Sequence, residues 1–294
     1  DVSEPVDELL RHIIHLFLLY KDKMFIVPVD GNIYIKKGEK RCAGYYDLER
    51  HCYMPCAKLN KVDEKSSQCD ECREKSGFYY CLGCHGINCR ADNDKALNFC
   101  RQEHAVYLAL FGDRIKVGMA AFYRKDARLL EQGGLAYMFI AKAPTGKIAR
   151  LIEYMISKEG MTLQVLSSYK IKNLVFLESK DTAERKLMDT YEMLRRSLDD
   201  NLTKYFIKPE FHFSEKVIEI NNNLFKDSAQ GSLFSKDEVI IKDYSYDLNP
   251  SMLKGKILNV TGQILVIEDD KIEAFDTKKL NGYIVDFKRN VNSF

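Results

Sequence analysis

The sequence of 294 residues contains no long apolar run. Its longest run, Ile13 to Tyr20, is interrupted by His15 and is far shorter than the roughly 20 residues that a helix needs to span a bilayer. It also lacks a basic start followed by an apolar stretch and a small-residue cleavage site, so no secretory signal is visible. The first residue is Asp1 and not Met, and we expect that an upstream segment has been removed. These absences predict a soluble cytoplasmic protein without a membrane partner.

The sequence also lacks a strong net charge, because 45 Lys and Arg stand against 43 Asp and Glu, with a formal charge of +2. The distribution is uneven: residues 104–172 hold eleven Lys and Arg against five Asp and Glu. A phosphate-binding surface needs such a local excess, although a solvated face rich in lysine gives the same count. The aromatic residues are not interleaved with basic ones, as they would be in a platform on which bases stack.

Cysteine is absent outside residues 42–100, and all nine cysteines lie within that segment. Two thiolates separated by two residues can reach one metal ion from a single tight turn, and a second pair completes a tetrahedron. We therefore predict a structural zinc ion bound by Cys69 and Cys72, with a disulfide set or an iron–sulfur cluster as alternatives. Two further ligands would come from Cys81, Cys84, Cys89 and Cys100, and His85 and His104 are spare nitrogen donors.

A second group of ligand-type residues, Cys42, His51, Cys52 and Cys56, could hold another zinc ion. No ligand follows Cys42 at a distance of two or three residues, so the group is incomplete as a zinc ribbon. Its cysteines are equally well explained as small buried hydrophobic residues. The number of zinc ions, one or two, stays open.

The segment 104–156 has the clearest local pattern. Gly112-Asp113 separates two β-type runs, which predicts a hairpin. A charged stretch that stops at Gly133-Gly134 predicts a short helix. After Gly146 the apolar positions recur at helical spacing, and Glu153 falls on the outward, polar side.

The flanking segments are less specific. Residues 3–20 fit a helix with Ser3 as its N-cap, and Asp30-Gly31 predicts a hairpin after it. Residues 161–178 predict short strands. From Asp181 to Tyr205 the apolar spacing predicts one helix of about six turns, which either packs across the central unit or links it to the C-terminal one. The last 85 residues are β-type runs separated by turn signals, typical of an antiparallel sheet or barrel.

The order of elements in the central segment resembles the GIY-YIG nuclease fold. Val106-Tyr107 stands where that family has its first tripeptide, and Lys116-Val117-Gly118 stands where it has the second, in a form similar to the variant branch that carries Lys-Ile-Gly. The resemblance implies a catalytic set of Tyr107, Lys116, Arg128 and Glu153. In that set Tyr107 would help to deprotonate the attacking water, Arg128 would bind the scissile phosphate, and Glu153 would hold Mg²⁺ or Mn²⁺.

The chain departs from this branch after the glycine. Met119 is followed by Ala120 and Ala121, where members of the branch have Thr and a basic residue. Arg124 or Lys125 could replace that charge. Gln132 could contact a base edge or a phosphate-bound water, or could instead cap the end of its helix, and Arg150 is a further candidate for nucleic-acid contact.

A longer stretch closely resembles the bacterial and archaeal family described as domain of unknown function 2797. The shared features are the cysteine-rich module, His104 with the following Val-Tyr-Leu-Ala, the Lys-Val-Gly motif, Arg128 with Glu-Gln-Gly-Gly, and Glu153. The resemblance covers roughly residues 42–153, and more faintly GKILNVTGQILVIE and KKLNGYIVDF near the C-terminus. It carries no activity over to this chain.

We therefore predict a multi-domain α+β protein. Its units are an N-terminal helix and hairpin (1–41), a zinc-ribbon-like module (42–103), a GIY-YIG-like α/β unit (104–178), a long helix (179–209) and an antiparallel β domain (210–294). Three functions compete: a divalent-metal-dependent endonuclease acting on RNA or DNA, a non-catalytic nucleic-acid-binding or RNA-maturation factor, and a zinc-stabilised protein-interaction module. Loss of the Thr and the basic residue favours the second, and the ordinary net charge favours the third. The oligomeric state stays open.

Overall fold

The computed structural model describes residues 15–20, 23–28, 31–174, 178–214, 244–246 and 251–289. Helices and strands are mixed along the chain and most strands pair antiparallel, so the predicted α+β class is confirmed. In the described part of the chain, no helix combines the length and the apolar character that crossing a membrane would require.

The strands, in chain order, are β1 His15–Tyr20, β2 Lys23–Pro28, β3 Asn32–Lys40, β4 Tyr45–Asp47, β5 Cys52–Met54, β6 His104–Phe111, β7 Arg114–Ala121, β8 Ala136–Ala143, β9 Phe206–Phe213, β10 Tyr244–Tyr246, β11 Met252–Thr261, β12 Ile264–Glu268, β13 Ile272–Asp276 and β14 Tyr283–Arg289. The α-helices are α1 Asp70–Ser76, α2 Asp94–Cys100, α3 Lys125–Gln132, α4 Gly146–Lys158, α5 Ser167–Lys172, α6 Lys180–Ser197 and α7 Asp200–Thr203. Single 3-10 turns lie at Tyr79–Cys81, Phe122–Arg124 and Thr277–Leu280.

A four-stranded antiparallel sheet in the order β7-β6-β8-β9 forms the centre of the molecule. The predicted hairpin is confirmed, because β6 and β7 pair across a turn in which Gly112 takes a φ of 57°. Apolar residues of α4 and α6 cover one face of the sheet, and α3 with residues 165–169 covers the other. Every residue of β6 is buried as a result.

Both short helices of the central segment are confirmed. α3 ends at Gly133, which takes the left-handed conformation that glycine adopts at low cost. α4 begins after Thr145, whose hydroxyl accepts a hydrogen bond from the backbone N–H of Ile148 at 3.3 Å. That cap satisfies one of the free N–H groups of the first turn.

A second sheet has the order β10-β13-β12-β11-β3-β14 and is antiparallel except for the β10–β13 pair. Its core contains Ile33 and Ile35 of β3 packed with Leu265, Ile267 and Phe275. The expected C-terminal β unit is therefore present, and it incorporates a strand from the N-terminal end of the described chain.

The N-terminal prediction was wrong in two respects. Residues 15–20 form a strand, β1, that pairs with β2, whereas the sequence pattern predicted a helix; residues 3–14 lie outside the described part. The expected hairpin around Asp30-Gly31 is not formed, because β2 pairs with β1 whereas β3 pairs with β11 and β14; Asp30 itself lies outside the described part. A short apolar run suits a helix or a strand, and burial of Ile33 and Ile35 among C-terminal side chains selects the partners of β3.

The predictions for residues 161–205 were also partly wrong. Two short strands were expected, at residues 161–168 and 173–178. Residues 161–166 make only an isolated bridge at Thr162, residues 167–172 form a helix, α5, and residues 175–177 lie outside the described part. The long helix ends at Ser197, because Leu198 is extended and the Asp199 carboxylate accepts a hydrogen bond from the N–H of Asn201 at 2.7 Å, which starts α7. α6 packs on the central sheet, which agrees with the alternative that the long helix packs across the central unit. β9 then crosses the boundary expected at residue 209.

Substitution of Gly133 tests the contact between the end of α3 and the β11–β12 turn of the second sheet. A Cβ on Gly133 would lie 2.7 Å from the carbonyl oxygen of Thr261 in the β11–β12 turn, whereas a Cβ on Gly160 would meet no atom within 4 Å. Both glycines have positive φ, so Ala at either position costs about 1–2 kcal/mol of backbone strain. We expect Gly133→Ala to lower the free energy of unfolding by about 1–3 kcal/mol more than Gly160→Ala, measured by urea denaturation. Equal losses would contradict the close contact.

Candidate functional site

Four cysteines from three separate stretches of the chain meet at one point. The thiol sulfurs of Cys42, Cys56, Cys69 and Cys72 all lie within 4.8 Å of one another. Backbone N–H groups of Gly44 and Cys69 donate to the Cys42 sulfur at 3.4 and 3.2 Å. Four thiols at this spacing are compatible with a structural metal ion such as zinc.

This cluster combines the two groups that the sequence kept apart. Cys69 and Cys72 were expected to share an ion with the later cysteines, but the structure brings them to Cys42 and Cys56. The pairing of β4 with β5 turns the chain back on itself, so that Cys56 returns to Cys42. Cysteine spacing identifies one pair and says nothing about the strand pairing that supplies the other.

The remaining members of the second predicted group lie outside the cluster. Cys52 is exposed. His51 is also exposed, and its Nδ1 lies 3.0 Å from the hydroxyl of Tyr123. Neither residue is therefore placed to bind the metal ion of the four cysteines.

The electrostatics of the cluster favour a cation. Burial raises the pKa of Cys72, and the neighbouring thiols of Cys42, Cys56 and Cys69 raise it further. The pKa of Cys69 is lowered to about 6, chiefly by the backbone N–H of Cys72. Four thiolates this close repel one another unless a divalent cation neutralises them, and such a cation deprotonates its thiol ligands.

A second cluster contains the residues that the sequence proposed as catalytic. Tyr107 lies on β6, Lys116 on β7, Arg128 on α3 and Glu153 on α4, and their charges act on one another. Tyr107 lies opposite Gly118 in the β6–β7 pair. A Cβ on Gly118 would lie 2.5 Å from the Tyr107 hydroxyl and 2.9 Å from Lys116 Nζ. The glycine of the Lys-Val-Gly motif therefore leaves the space in which these two side chains meet.

The pKa values in this second cluster are shifted mainly by burial. Lys116 is 8% exposed, and burial lowers its pKa to about 8 against the opposing effect of Glu153. Burial raises the pKa of Tyr107 to about 12, although Arg128 acts in the opposite direction. The Tyr107 hydroxyl makes no hydrogen bond of normal geometry among the residues that the structure describes, and Arg128 lies near enough to interact with it.

Glu153 does not face outward, as its position on the polar side of the helix predicted. It is half-buried, and the backbone N–H of Met119 on β7 hydrogen-bonds to its carboxylate. Burial raises its pKa, while Lys116, Arg150 and Arg128 lower it. The carboxylate is thus turned towards the sheet and surrounded by cations.

Two further lysines, neither of them indicated by a sequence pattern, join this cluster. Lys170 on α5 donates to the main-chain carbonyl of Gln132 at 2.7 Å. Burial lowers the pKa of Lys170 to about 8, and the charges of Lys278 and Lys116 lower it as well. Lys278 belongs to the second sheet unit and also lines a groove of about 400 Å³ together with Lys40, Lys65 and Lys279. No local motif marks these lysines, because tertiary contacts of α5 and of the second sheet bring them to the site.

The residues proposed to contact nucleic acid have varied positions. Arg124 binds Glu131 at 2.6 Å, and Arg128 binds the same carboxylate at 2.9 Å. Lys125 binds Glu210 at 3.0 Å. The other two, Gln132 and Arg150, are less available: Gln132 is buried, and Arg150 donates to the carbonyl of Cys84 at 3.4 Å and lies over the ring of Phe78.

A family model described as Protein of unknown function (DUF2797) matches residues 37–285 of the chain. The match spans the four-cysteine cluster, the central sheet and most of the second sheet. The chain matches no curated protein and no solved structure.

Removal of one cluster cysteine tests metal binding. We expect Cys72→Ser to lose one equivalent of bound metal relative to the wild type and to lower the melting temperature by about 10 °C, because a structural metal stabilises the folded state. Cys52→Ser is the matched control and should keep the metal content and the melting temperature of the wild type, since Cys52 is exposed and outside the cluster. Metal content would be measured by mass spectrometry and melting by calorimetry. Equal metal content in the two variants would contradict the assignment.

Proposed function

The chain belongs to the family described as Protein of unknown function (DUF2797), and we propose that it is a zinc-containing nucleic-acid-processing protein. In this proposal the central unit is a GIY-YIG-type phosphodiesterase acting on RNA or DNA, and zinc is the ion of the four-cysteine cluster. The observation that supports it is the convergence of Tyr107, Lys116, Arg128 and Glu153 from two strands and two helices, in the order that the resemblance implies.

The chemistry of phosphodiester hydrolysis suits this set. The oxygen of a water molecule forms a bond to phosphorus, the bond from phosphorus to the departing oxygen breaks, and the proton of the water passes to a base. Negative charge on the phosphate oxygens is balanced in the transition state by nearby cations. Arg128, Lys170 and Lys278 supply positive charge around Lys116, and they support an anionic substrate.

We assign the role of base to Lys116 and a positioning role to Tyr107. A group with a pKa of about 8 is partly neutral near pH 7 and can accept a proton. A phenol whose pKa is raised to about 12 remains protonated, so its hydroxyl can orient the water but is a poor base. This assignment differs from the role that the resemblance implies for Tyr107.

Glu153 remains the candidate ligand for a divalent cation. It is a single carboxylate among Lys116, Arg128 and Arg150, so it fits Mg²⁺ or Mn²⁺ only together with phosphate oxygens of a bound substrate. When bound, such an ion would neutralise charge on the departing oxygen. Without substrate, the carboxylate balances the buried charge of Lys116.

Two other functions remain as alternatives. Glu131 holds both Arg124 and Arg128, and Met119-Ala120-Ala121 lacks a hydroxyl and a basic side chain; both features favour a non-catalytic nucleic-acid-binding factor. That factor would bind in a salt-dependent way without turnover, because phosphate contacts release counterions. A zinc-stabilised protein-interaction module would neither bind nor cleave nucleic acid.

The first test compares Glu153→Gln with Glu159→Gln, an exposed glutamate at the end of the same helix. Zinc-loaded protein would be incubated with mixed cellular RNA or structured DNA, with and without Mg²⁺ or Mn²⁺, and divided between a cleavage gel and a binding gel. We expect Glu153→Gln to lower cleavage by about 100-fold and to retain binding, whereas Glu159→Gln behaves as the wild type. Binding without cleavage by the wild type would select the non-catalytic alternative.

A pH profile tests the assignment of Lys116. The neutral amine is the proton acceptor, so the cleavage rate should rise with pH and level off above about pH 8, the pKa of this lysine. Lys116→Arg keeps the positive charge but stays protonated throughout this range. We expect it to lose the rise and about 100-fold in rate while still binding substrate. An unchanged pH profile in Lys116→Arg would exclude Lys116 as the base.

A further inference from the structure

A second set of metal-ligating side chains lies where the cysteine-rich segment meets β6 and α4. Cys81, Cys84 and Cys100 are half-buried there, and Cys89 is exposed. The backbone N–H of Cys84 donates to the carbonyl of Cys81 at 3.2 Å, which closes the turn that carries these two thiols. Cys100 ends α2, a separate element, and its thiol is near enough to that of Cys81 to interact with it electrostatically.

His104, the first residue of β6, supplies an independent observation. Its side chain is completely buried (0% exposed), and Nδ1 lies 2.8 Å from the carbonyl oxygen of Gln102. A carbonyl only accepts hydrogen bonds, so Nδ1 carries the proton and Nε2 is left as an acceptor. Nε2 has no hydrogen-bond partner within the described ranges.

This arrangement is costly unless Nε2 has a partner of another kind. A buried polar atom without a partner keeps the full penalty for the loss of its hydration. Metal-binding histidines characteristically donate one ring N–H to a carbonyl or carboxylate and bind the ion through the other nitrogen. The backbone carbonyl of Gln102 therefore prepares His104 to bind a cation through Nε2.

Nε2 of His104 and the sulfur of Cys100 face the same space. A Cβ on Gly146, the first residue of α4, would lie 3.2 Å from Nε2 and 3.4 Å from the Cys100 sulfur. The backbone N–H of Lys147, in the first turn of α4, hydrogen-bonds to Cys100. The start of α4 therefore contacts both Cys100 and His104.

The loop that carries the remaining donors packs on the same helix. The N–H of Gly86 donates to the sulfur of Cys84 at 3.4 Å. A side chain on Gly86 would collide with the backbone of Lys147 and Leu151. Arg150, also on α4, donates to the carbonyl of Cys84. The two cysteines of the CLGC turn are thus held next to the start of α4.

We propose that Cys81, Cys84, Cys100 and His104 bind a second zinc ion, which joins the CLGC turn to β6 and α4. Three thiolates and one imidazole nitrogen are a common tetrahedral zinc set. Within the described residues only the first cluster has three or more ligand atoms mutually within 4.8 Å, so the second ion would draw its donors closer together. The centre is structural, and it stands whether or not the protein cleaves nucleic acid.

The test uses the full chain purified with zinc. We expect two equivalents of zinc per chain by mass spectrometry. X-ray absorption should show seven sulfur ligands and one nitrogen ligand in total over the two four-coordinate ions, which is about 3.5 sulfurs and 0.5 nitrogen per ion. His104→Gln and Cys100→Ser should each retain one equivalent. Cys89→Ser is the matched control and should retain two, because Cys89 is exposed and outside the proposed set.

Cobalt substitution distinguishes the two centres. In Cys72→Ser, which removes the first centre, one equivalent of Co²⁺ should give the absorption spectrum of a tetrahedral site with three sulfurs and one nitrogen. The proposal of a second centre would be overturned if the wild type bound only one equivalent of metal and Cys72→Ser bound none. If the wild type bound two equivalents of metal through sulfur alone and Cys89→Ser lost one equivalent, the fourth ligand of the second centre would be Cys89 and not His104. Ligation is read on the wild type, so this result does not depend on the folding of His104→Gln.

Discussion

The complete burial of β6 is the constraint on which the rest of the structure depends. A strand with no exposed residue needs apolar cover on both faces. α4 and α6 supply it on one side, and α3 with residues 165–169 supplies it on the other. Tyr107 therefore enters the interior next to Arg128 of α3, and His104, at the start of the same strand, is buried against the start of α4. Both the proposed catalytic set and the proposed second metal centre follow from the cover of this one strand.

Burial also shifts the pKa values of the charged groups in the candidate site. A lysine and a glutamate removed from water each lose hydration, and the pKa of Lys116 falls to about 8 while that of Glu153 rises. Their mutual attraction offsets part of this cost. A fold that needed only stability would place apolar residues here, because a buried ion pair often contributes less than a hydrophobic replacement. Retention of such groups beside the buried Tyr107 hydroxyl is typical of functional sites.

The cysteine-rich segment has only a small apolar core of its own. Its apolar cluster consists of Cys42, Cys56 and Cys72 with Tyr45, Val62 and Cys69, which is too little to hold a segment of this length by burial alone. Metal–thiolate bonds can replace a hydrophobic core in small units. A metal ion in the first cluster would hold this segment together internally, and the second proposed centre would fasten it to the central sheet.

The sequence alone determined the features that rest on local signals. The β6–β7 hairpin follows from Gly112-Asp113, the end of α3 from Gly133, and the apolar face of α4 from its helical spacing. The candidate set of Tyr107, Lys116, Arg128 and Glu153 has another origin, because it rests on the resemblance to a known fold, and its role stays a prediction. Only the tertiary structure decided which distant segments meet. In the folded chain Cys42 and Cys56 lie beside Cys69 and Cys72, and Lys170 and Lys278 lie near Lys116. Strand β3 pairs within the second sheet, and β9 pairs with β8. The physical reason is that turns, caps and spacing act over a few residues, whereas burial chooses partners across the whole chain.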